Sequence, residues 1–82
     1  MKLPRDLTGL ELASLLRQFG YETTRQTGSH LRLTSSQKGR EHHVTVPAHR
    51  SLKVGTLATI LTDVARYVEI DRNKLAEELF NR

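Results

Sequence analysis

The sequence predicts an α+β fold of order α-β-β-β-α, with three antiparallel strands between two helices and a short extra helix at the end. Apolar residues recur at helical spacing before residue 20 and again after residue 56. The segment between them alternates polar with apolar residues, as strands do. Helices that flank a three-stranded sheet pack on one of its faces. We therefore expect the other face to stay open.

Size and composition limit what the chain can be. Its 82 residues suit one small domain, residues 1–82, with a modest core and no large cofactor cavity. The absence of cysteine rules out disulfides and thiolate zinc sites. No apolar run has the length of a signal peptide or a membrane span, so we expect a cytoplasmic protein without a membrane partner.

The charge balance favours a polyanionic partner. Thirteen Lys and Arg residues against nine Asp and Glu give a net charge of +4. Such an excess is typical of proteins that bind nucleic acids. A basic surface that is merely solvated is the alternative, and charge alone does not decide between them.

The first helix is predicted from its cap and its apolar face. Thr8 followed by Glu11 forms a capping box, in which the hydroxyl and the carboxylate each bond an amide of the first turn. The residues that share one face after it are Leu12, Leu15, Leu16 and Phe19. Gly20 is expected to end the helix, because glycine adopts left-handed backbone conformations freely.

The middle of the chain predicts a meander of three strands. After Tyr21 the pattern becomes β-like, and a turn at Thr27–Gly28 leads into the alternating segment "SHLRLT". A second turn, "SSQKGR", leads into "EHHVTVP". Pro47 is expected to end this last strand, because proline cannot donate to the ladder.

The second helix gives the strongest amphipathic pattern of the chain. Its apolar positions, spaced for one helical face, are Leu57, Ile60, Leu61, Val64, Ala65 and Val68. This face is expected to pack on the sheet. A short last helix is predicted to begin at Asp71 as N-cap and to bury Leu75, Ala76, Leu79 and Phe80.

Strand alternation predicts the side chains of the open face. In the second strand Leu31 and Leu33 must point to the core. The residues of that strand on the open face are then His30, Arg32 and Thr34.

The predicted turn also sets the register of the first two strands. With Thr27–Gly28 as a two-residue turn, Gln26 pairs with Ser29, and Arg25 lies directly across from His30. A guanidinium would then neighbour the imidazole on the open face.

The third strand holds two adjacent histidines. Val44 and Val46 claim the core side, which sends His43 and Thr45 to the open face. His42 points away from His43, so the two cannot easily share a metal ion. We expect both to be solvated, with His43 a weak candidate for a catalytic acid.

Four segments together resemble one known family. "KLPRDLTGLELASLLRQFGY", "RQTGSHLRL", "HHVTVPAH" and "LKVGTLATIL", between residues 2 and 65, are similar to the HicA toxins of bacterial and archaeal toxin-antitoxin modules. The resemblance implies a fold like that of double-stranded RNA-binding domains and an endoribonuclease activity on messenger RNA. It also implies a HicB-type antitoxin as partner in a hetero-oligomer. The catalytic histidine of the family falls on His30.

Cleavage of RNA at a histidine is chemically reasonable without the family name. RNA carries its own nucleophile, the 2′-hydroxyl, so cleavage needs a base, an acid and positive charge for the transition state. Histidine transfers protons near neutral pH, and arginine binds phosphate oxygens through paired donors. No acidic pair lies near His30 in the sequence, so we expect neither a metal nor another cofactor.

Other residues are predicted to bind the RNA backbone. They are Gly28, Ser29, Arg25, Arg32, Lys53, Lys2 and Arg5. Lys53 is the preferred one outside the strands, because helix N-terminal amides and a lysine together bind phosphate well. His49 is a secondary candidate that either shapes its loop or reaches the open face.

Two further interpretations stay open. The first is a non-catalytic RNA-binding module that uses the same basic surface. Double-stranded RNA binders contact phosphates and 2′-hydroxyls with helix ends and loops and need no histidine on the sheet, which favours the enzyme. The second is a domain that only binds an acidic protein partner, which is compatible with either function.

Overall fold

A computed structural model describes residues 3–80 of the chain, and Lys2 lies outside them. Its elements are α1 (Gly9–Leu16), a 3-10 turn (Arg17–Phe19), β1 (Glu22–Thr27), β2 (His30–Ser35), β3 (His42–Pro47), α2 (Val54–Val68) and α3 (Arg72–Phe80). The strands form one antiparallel sheet of order β1-β2-β3. The predicted α+β fold with its short last helix is confirmed.

The caps at Thr8 and Asp71 form as the sequence predicts, whereas the first α-helix ends at Leu16, before the predicted Gly20. The Thr8 amide donates to Glu11 Oε1 at 2.9 Å, and the Glu11 amide donates to Thr8 Oγ1 at 3.2 Å. Gly20 closes the 3-10 turn with φ of 84°. At the last helix, Asp71 Oδ2 accepts from the amide of Asn73 at 3.0 Å. The second helix begins at Val54, one turn before the amphipathic pattern starts.

The core lies between the helices and one face of the sheet. The sheet contributes Leu31, Leu33, Val44 and Val46, and the helices contribute Leu12, Leu16, Leu57, Leu61, Val64, Leu75 and Leu79. Every residue of β1, an edge strand, is exposed. The face of the sheet opposite the helices is the open face.

The hairpin between β1 and β2 turns one residue later than predicted. Gly28 and Ser29 are the two turn residues, and Thr27 pairs with His30. Gly28 has φ of 58°, and glycine at the first of two turn positions suits the tight hairpin turns that match strand twist. The predicted turn at Thr27–Gly28 is therefore wrong.

The later turn changes the partners of β1. Arg25 lies opposite Arg32, so the predicted direct pairing of Arg25 with His30 is wrong. Gln26 likewise pairs with Leu31. The register differs from the prediction by two residues near the turn. Because the side-chain period of a strand is two, Arg25 stays on the open face.

The start of α1 is fixed against the end of β3. A Cβ atom at Gly9 would overlap the carbonyl oxygen of Pro47, so the helix reaches this approach only because residue 9 is glycine. The Leu10 amide donates to the Ala48 carbonyl at 3.0 Å, and the Ala48 amide donates to the Ser29 carbonyl at 2.7 Å. These contacts place the first helix, the loop after β3 and the hairpin turn at one end of the sheet.

Candidate functional site

Three transverse rows of side chains form the open face. The first, at the hairpin end, holds Thr27, His30 and Pro47. The second holds Arg25, Arg32 and Thr45. The third, which we call the far row, holds Thr34 and His43, which pair across β2 and β3, and Thr24, whose hydroxyl bonds that of Thr34 although the register partner of Thr34 on β1 is Glu22. Rows of this kind are about 6.6 Å apart, since a strand rises about 3.3 Å per residue.

His30 is exposed and chemically free. Its strand is paired on both sides, with Thr27 on β1 and Pro47 on β3, so the backbone beneath the ring is held in place. The imidazole forms no hydrogen bond or ion pair with any residue that the structure describes. A ring fixed at its base with both nitrogens free can accept or donate a proton at a bound substrate.

The arginine pair, Arg25 and Arg32, lies next to His30 on the same face. The two residues are directly opposite on adjacent strands, and both are exposed. Neither forms an ion pair within residues 3–80. Like charges placed directly opposite destabilise a sheet, so we expect the pair to concentrate positive charge at a cost to stability. Arg25 is thus a diagonal neighbour of His30, not its direct partner.

The far row is joined by hydrogen bonds. His43 Nδ1 lies 2.8 Å from Thr34 Oγ1, and that oxygen lies 2.7 Å from Thr24 Oγ1. His43 Nε2 lies 3.6 Å from Glu41 Oε1. His43 is on the open face, as predicted, but its partner Thr34 is four residues along β2 from His30, about 13 Å. The structure therefore does not bring the two histidines together.

The remaining predicted residues lie at the hairpin end or near the helix starts. Gly28 and Ser29 form the exposed turn directly before His30. His49 is exposed on the loop that begins beside that turn. Lys53 is the exposed N-cap residue of α2 and gives no side-chain cap, so first-turn amides remain open to an anion. Arg5 is exposed ahead of α1.

The prediction that His42 is solvated is wrong. Its side chain is 19% exposed, and both ring nitrogens have partners. Nδ1 lies 2.6 Å from the Tyr21 hydroxyl, and Nε2 lies 3.2 Å from Asp63 Oδ1. The ring also stacks on Tyr67 at 4.8 Å between centroids. A neutral imidazole with its proton on Nε2 satisfies both contacts, because a carboxylate only accepts.

The His42 cluster joins three parts of the chain. Tyr21 precedes β1, His42 begins β3, and Asp63 and Tyr67 belong to α2. Burial, with smaller contributions from Tyr67 and Asp63, raises the pKa of the Tyr21 hydroxyl well above its usual range. The sequence contains one signal for this cluster. Residues two apart in a strand lie on the same face, so His42 lies on the same side of its strand as Val44.

Among residues 3–80, no group of three or more His, Cys, Asp or Glu side chains is placed to hold a metal ion. No helix of the same region is long and apolar enough to cross a membrane.

The fold and the open face define a class of protein: a small α-β-β-β-α domain with a free histidine beside two arginines on an open sheet. A sequence model described as "HicA toxin of bacterial toxin-antitoxin" matches residues 9–65, which is well over half of the chain. The chain belongs to the HicA toxin family. No curated protein and no solved structure gives a significant match.

Family membership makes the chain the toxin component of a toxin-antitoxin system and implies an antitoxin partner. The matched range contains His30, the arginine pair and Lys53. It excludes Arg5 and the whole of α3.

Proposed function

We propose that the chain is an endoribonuclease that cleaves messenger RNA with His30 as the catalytic residue. The observation that carries the proposal is the free imidazole of His30 beside the arginine pair. A histidine without protein partners, held on the central strand of a sheet, is accessible to a substrate. Two unpaired guanidiniums on the same face attract the phosphate that must react there.

The reaction uses the nucleophile that RNA supplies. His30 removes the proton of a 2′-hydroxyl, and the 2′-oxygen attacks the adjacent phosphorus. The bond from phosphorus to the 5′-oxygen breaks, leaving a 2′,3′-cyclic phosphate and a 5′-hydroxyl. Arg25 and Arg32 stabilise the extra negative charge of the transition state. The leaving oxygen takes its proton from water or from His49, since the loop of His49 begins at the hairpin end.

A direct test uses purified protein and RNA transcripts with the ends of the products mapped. The wild type is expected to give cyclic phosphate and 5′-hydroxyl ends, and chelators should not slow it. His30→Ala is expected to abolish cleavage, while His43→Ala should still cut RNA, because Thr34, the strand partner of His43, lies about 13 Å from His30 along β2. Full cleavage by His30→Ala, or loss of wild-type activity in chelator, would remove this mechanism.

A non-catalytic RNA-binding module is the second candidate. The open N-terminal amides of α2 and the exposed Lys53 favour it, because a phosphate can bind there without any histidine. The same experiment separates the two functions. Saturable RNA binding by a wild type that leaves every transcript intact would establish the second candidate in place of the first.

We further propose that an antitoxin of the HicB type inhibits the chain by covering the open face in a hetero-oligomer. The arginine pair favours an acidic partner surface, which gives fast, salt-sensitive association. Calorimetric titration with a HicB-type antitoxin tests the footprint. Arg32→Glu should weaken binding strongly, whereas Arg66→Glu, an exposed change on α2, should not. Equal affinities of both variants would place the footprint elsewhere.

A further inference from the structure

We propose that the far row is a binding subsite for the base of an unpaired nucleotide, so that it gives the nuclease a sequence preference. The proposal rests on the proposed function, because it places the subsite relative to a phosphodiester bond at His30. RNA would cross the open face along β2. Its scissile phosphate would lie at His30, a neighbouring phosphate at the arginine pair, and a more distant nucleotide at the far row.

The geometry of the far row is that of a prepared polar surface. Each of its three side chains comes from a different strand, and hydrogen bonds of 2.7 and 2.8 Å join them. Thr24 lies where the register of β1 shifts, and this irregularity brings its hydroxyl to Thr34. Thr24 and His43 are exposed and Thr34 is half-buried, so solvent or a ligand reaches the row. Ordered donors and acceptors lose little entropy when a ligand binds them.

Charge decides which part of an RNA fits each row. The arginine pair carries two positive charges and has no carboxylate among its cross-strand partners. The far row contains no arginine or lysine, and the Glu41 carboxylate lies 3.6 Å from His43 Nε2. That carboxylate repels a phosphate. The uncharged hydroxyls and the imidazole, each able to donate or accept, match the edge of a base instead.

A base can be bound at the far row only if it is not paired. In an A-form duplex the Watson–Crick edges are used and side chains cannot reach into the deep groove. The sheet surface is also broad and open, and single strands can lie along such a surface with their bases turned toward it. The chain thus shares its fold order with double-stranded RNA binders but would recognise a single strand.

The experiment measures binding apart from cleavage. In a His30→Ala background, fluorescence anisotropy gives Kd for single-stranded oligoribonucleotides in which one position at a time carries each of the four bases. At one position the bases should differ in Kd by about fivefold, as expected for one net hydrogen bond. Annealing a complementary strand should remove this discrimination.

Two variants and a control assign the discrimination to the far row. His43→Ala and Thr34→Val, each added to His30→Ala, should make the four bases bind equally at that position. Thr59→Val should change nothing, since the Thr59 hydroxyl bonds the Gly55 carbonyl within α2. In the catalytically intact protein, His43→Ala should broaden the set of cleaved sites without abolishing cleavage.

The outcomes distinguish the subsite from the proposed function. Unchanged base preference in both far-row variants, or no preference in the parent, overturns the subsite while leaving catalysis at His30 untouched. Base-selective binding by a wild type that cuts no RNA supports the subsite and overturns the nuclease. Failure to bind any oligonucleotide, together with tight antitoxin binding that His43→Ala weakens, makes the far row a protein contact and overturns both.

Discussion

Two histidines occupy matching positions in the chain and have opposite surroundings. His30 begins β2 and His42 begins β3, at opposite ends of the sheet and on opposite faces. Within the described residues His30 has no side-chain partner, whereas His42 has one at each nitrogen and a stacked ring beside it. Residue type and strand position therefore do not decide the surroundings of a histidine here. We expect its role to follow from whether its hydrogen-bonding groups have partners.

The two arginines extend the same contrast. The His42 end of the sheet places its charged groups near opposite charges or rings, as Asp63 beside His42 and Arg40 over Tyr67 illustrate. The His30 end instead sets Arg25 directly against Arg32. An arrangement that opposes folding is expected where a ligand supplies the missing charge. We therefore expect the open face to bind a partner and the His42 cluster to stabilise the fold.

The largest expected effect separates the two histidines by activity. His30→Ala should lower the rate of RNA cleavage by about 10²- to 10⁴-fold, because a general acid or base contributes that much. Its free energy of unfolding should change by less than about 1 kcal/mol, as for other exposed residues. Single-turnover cleavage and chemical denaturation of the same samples measure both. A loss of cleavage matched by a loss of folding would break the contrast.

The second prediction concerns His42, for which the effects should be reversed. His42→Ala removes the partner of the buried Tyr21 hydroxyl, and an unsatisfied buried group costs about 1–3 kcal/mol. We therefore expect the free energy of unfolding to fall by about 2 kcal/mol, with cleavage retained at temperatures where the variant is folded. His43→Ala, at the next residue, is the control and should change stability by less than about 0.5 kcal/mol. Equal losses of stability in His42→Ala and His43→Ala would show that the His42 cluster does not stabilise the fold.

The third prediction uses pH. Burial holds the pKa of Tyr21 in the folded protein above its unfolded value of about 10. The folded state thus retains a proton that the unfolded state loses, so this stability is present below about pH 10 and is lost as pH rises further. Above about pH 10 the free energy of unfolding should fall by up to about 1.4 kcal/mol per pH unit. In Tyr21→Phe the free energy of unfolding, measured by denaturation, should fall less steeply between pH 10 and 11. An identical slope in both proteins would contradict the assignment of this pH dependence to Tyr21.

The sequence predicted local features of this molecule better than long-range ones. The capping box at Thr8, the N-cap at Asp71 and the faces of Leu31 and Leu33 follow from near neighbours and strand period. The placement of His30 on the open face follows from the same period. These features need no information from distant parts of the chain.

The errors arose where distant residues or backbone detail decide the outcome. The turn could begin at Thr27 or Gly28, and only the backbone conformation of Gly28 selects the second. The irregularity at Thr24 has no sequence marker of its own. The prediction for His42 is wrong because its partners, Tyr21 and Asp63, each lie 21 residues away along the chain and approach it only in the folded structure.

The last and smallest expected effect tests whether the arginine pair opposes folding. Arg25→Thr replaces a repelling charge with a residue that favours strands, so the free energy of unfolding should rise by about 0.2–1 kcal/mol. The same change should weaken binding of RNA to the His30→Ala protein. It should also reduce the slope of log affinity against log salt by about 0.7 to 0.9, the loss of one phosphate contact. Denaturation and anisotropy at several salt concentrations measure the two effects.

Arg17→Thr is the matched control for this change. Arg17 is exposed and lies in the 3-10 turn after α1, outside the sheet, so it has no cross-strand partner. Its replacement should leave the salt slope of RNA binding unchanged and give no gain in stability. If Arg25→Thr instead destabilises the protein, the two guanidiniums do not repel each other appreciably. If the Arg25→Thr protein is more stable but its affinity for RNA keeps the same salt slope, the two guanidiniums repel each other and the arginine pair does not contact phosphate. A gain in stability together with a weaker, less salt-dependent affinity for RNA is expected only if the positive charge of the open face destabilises the free protein and binds the ligand.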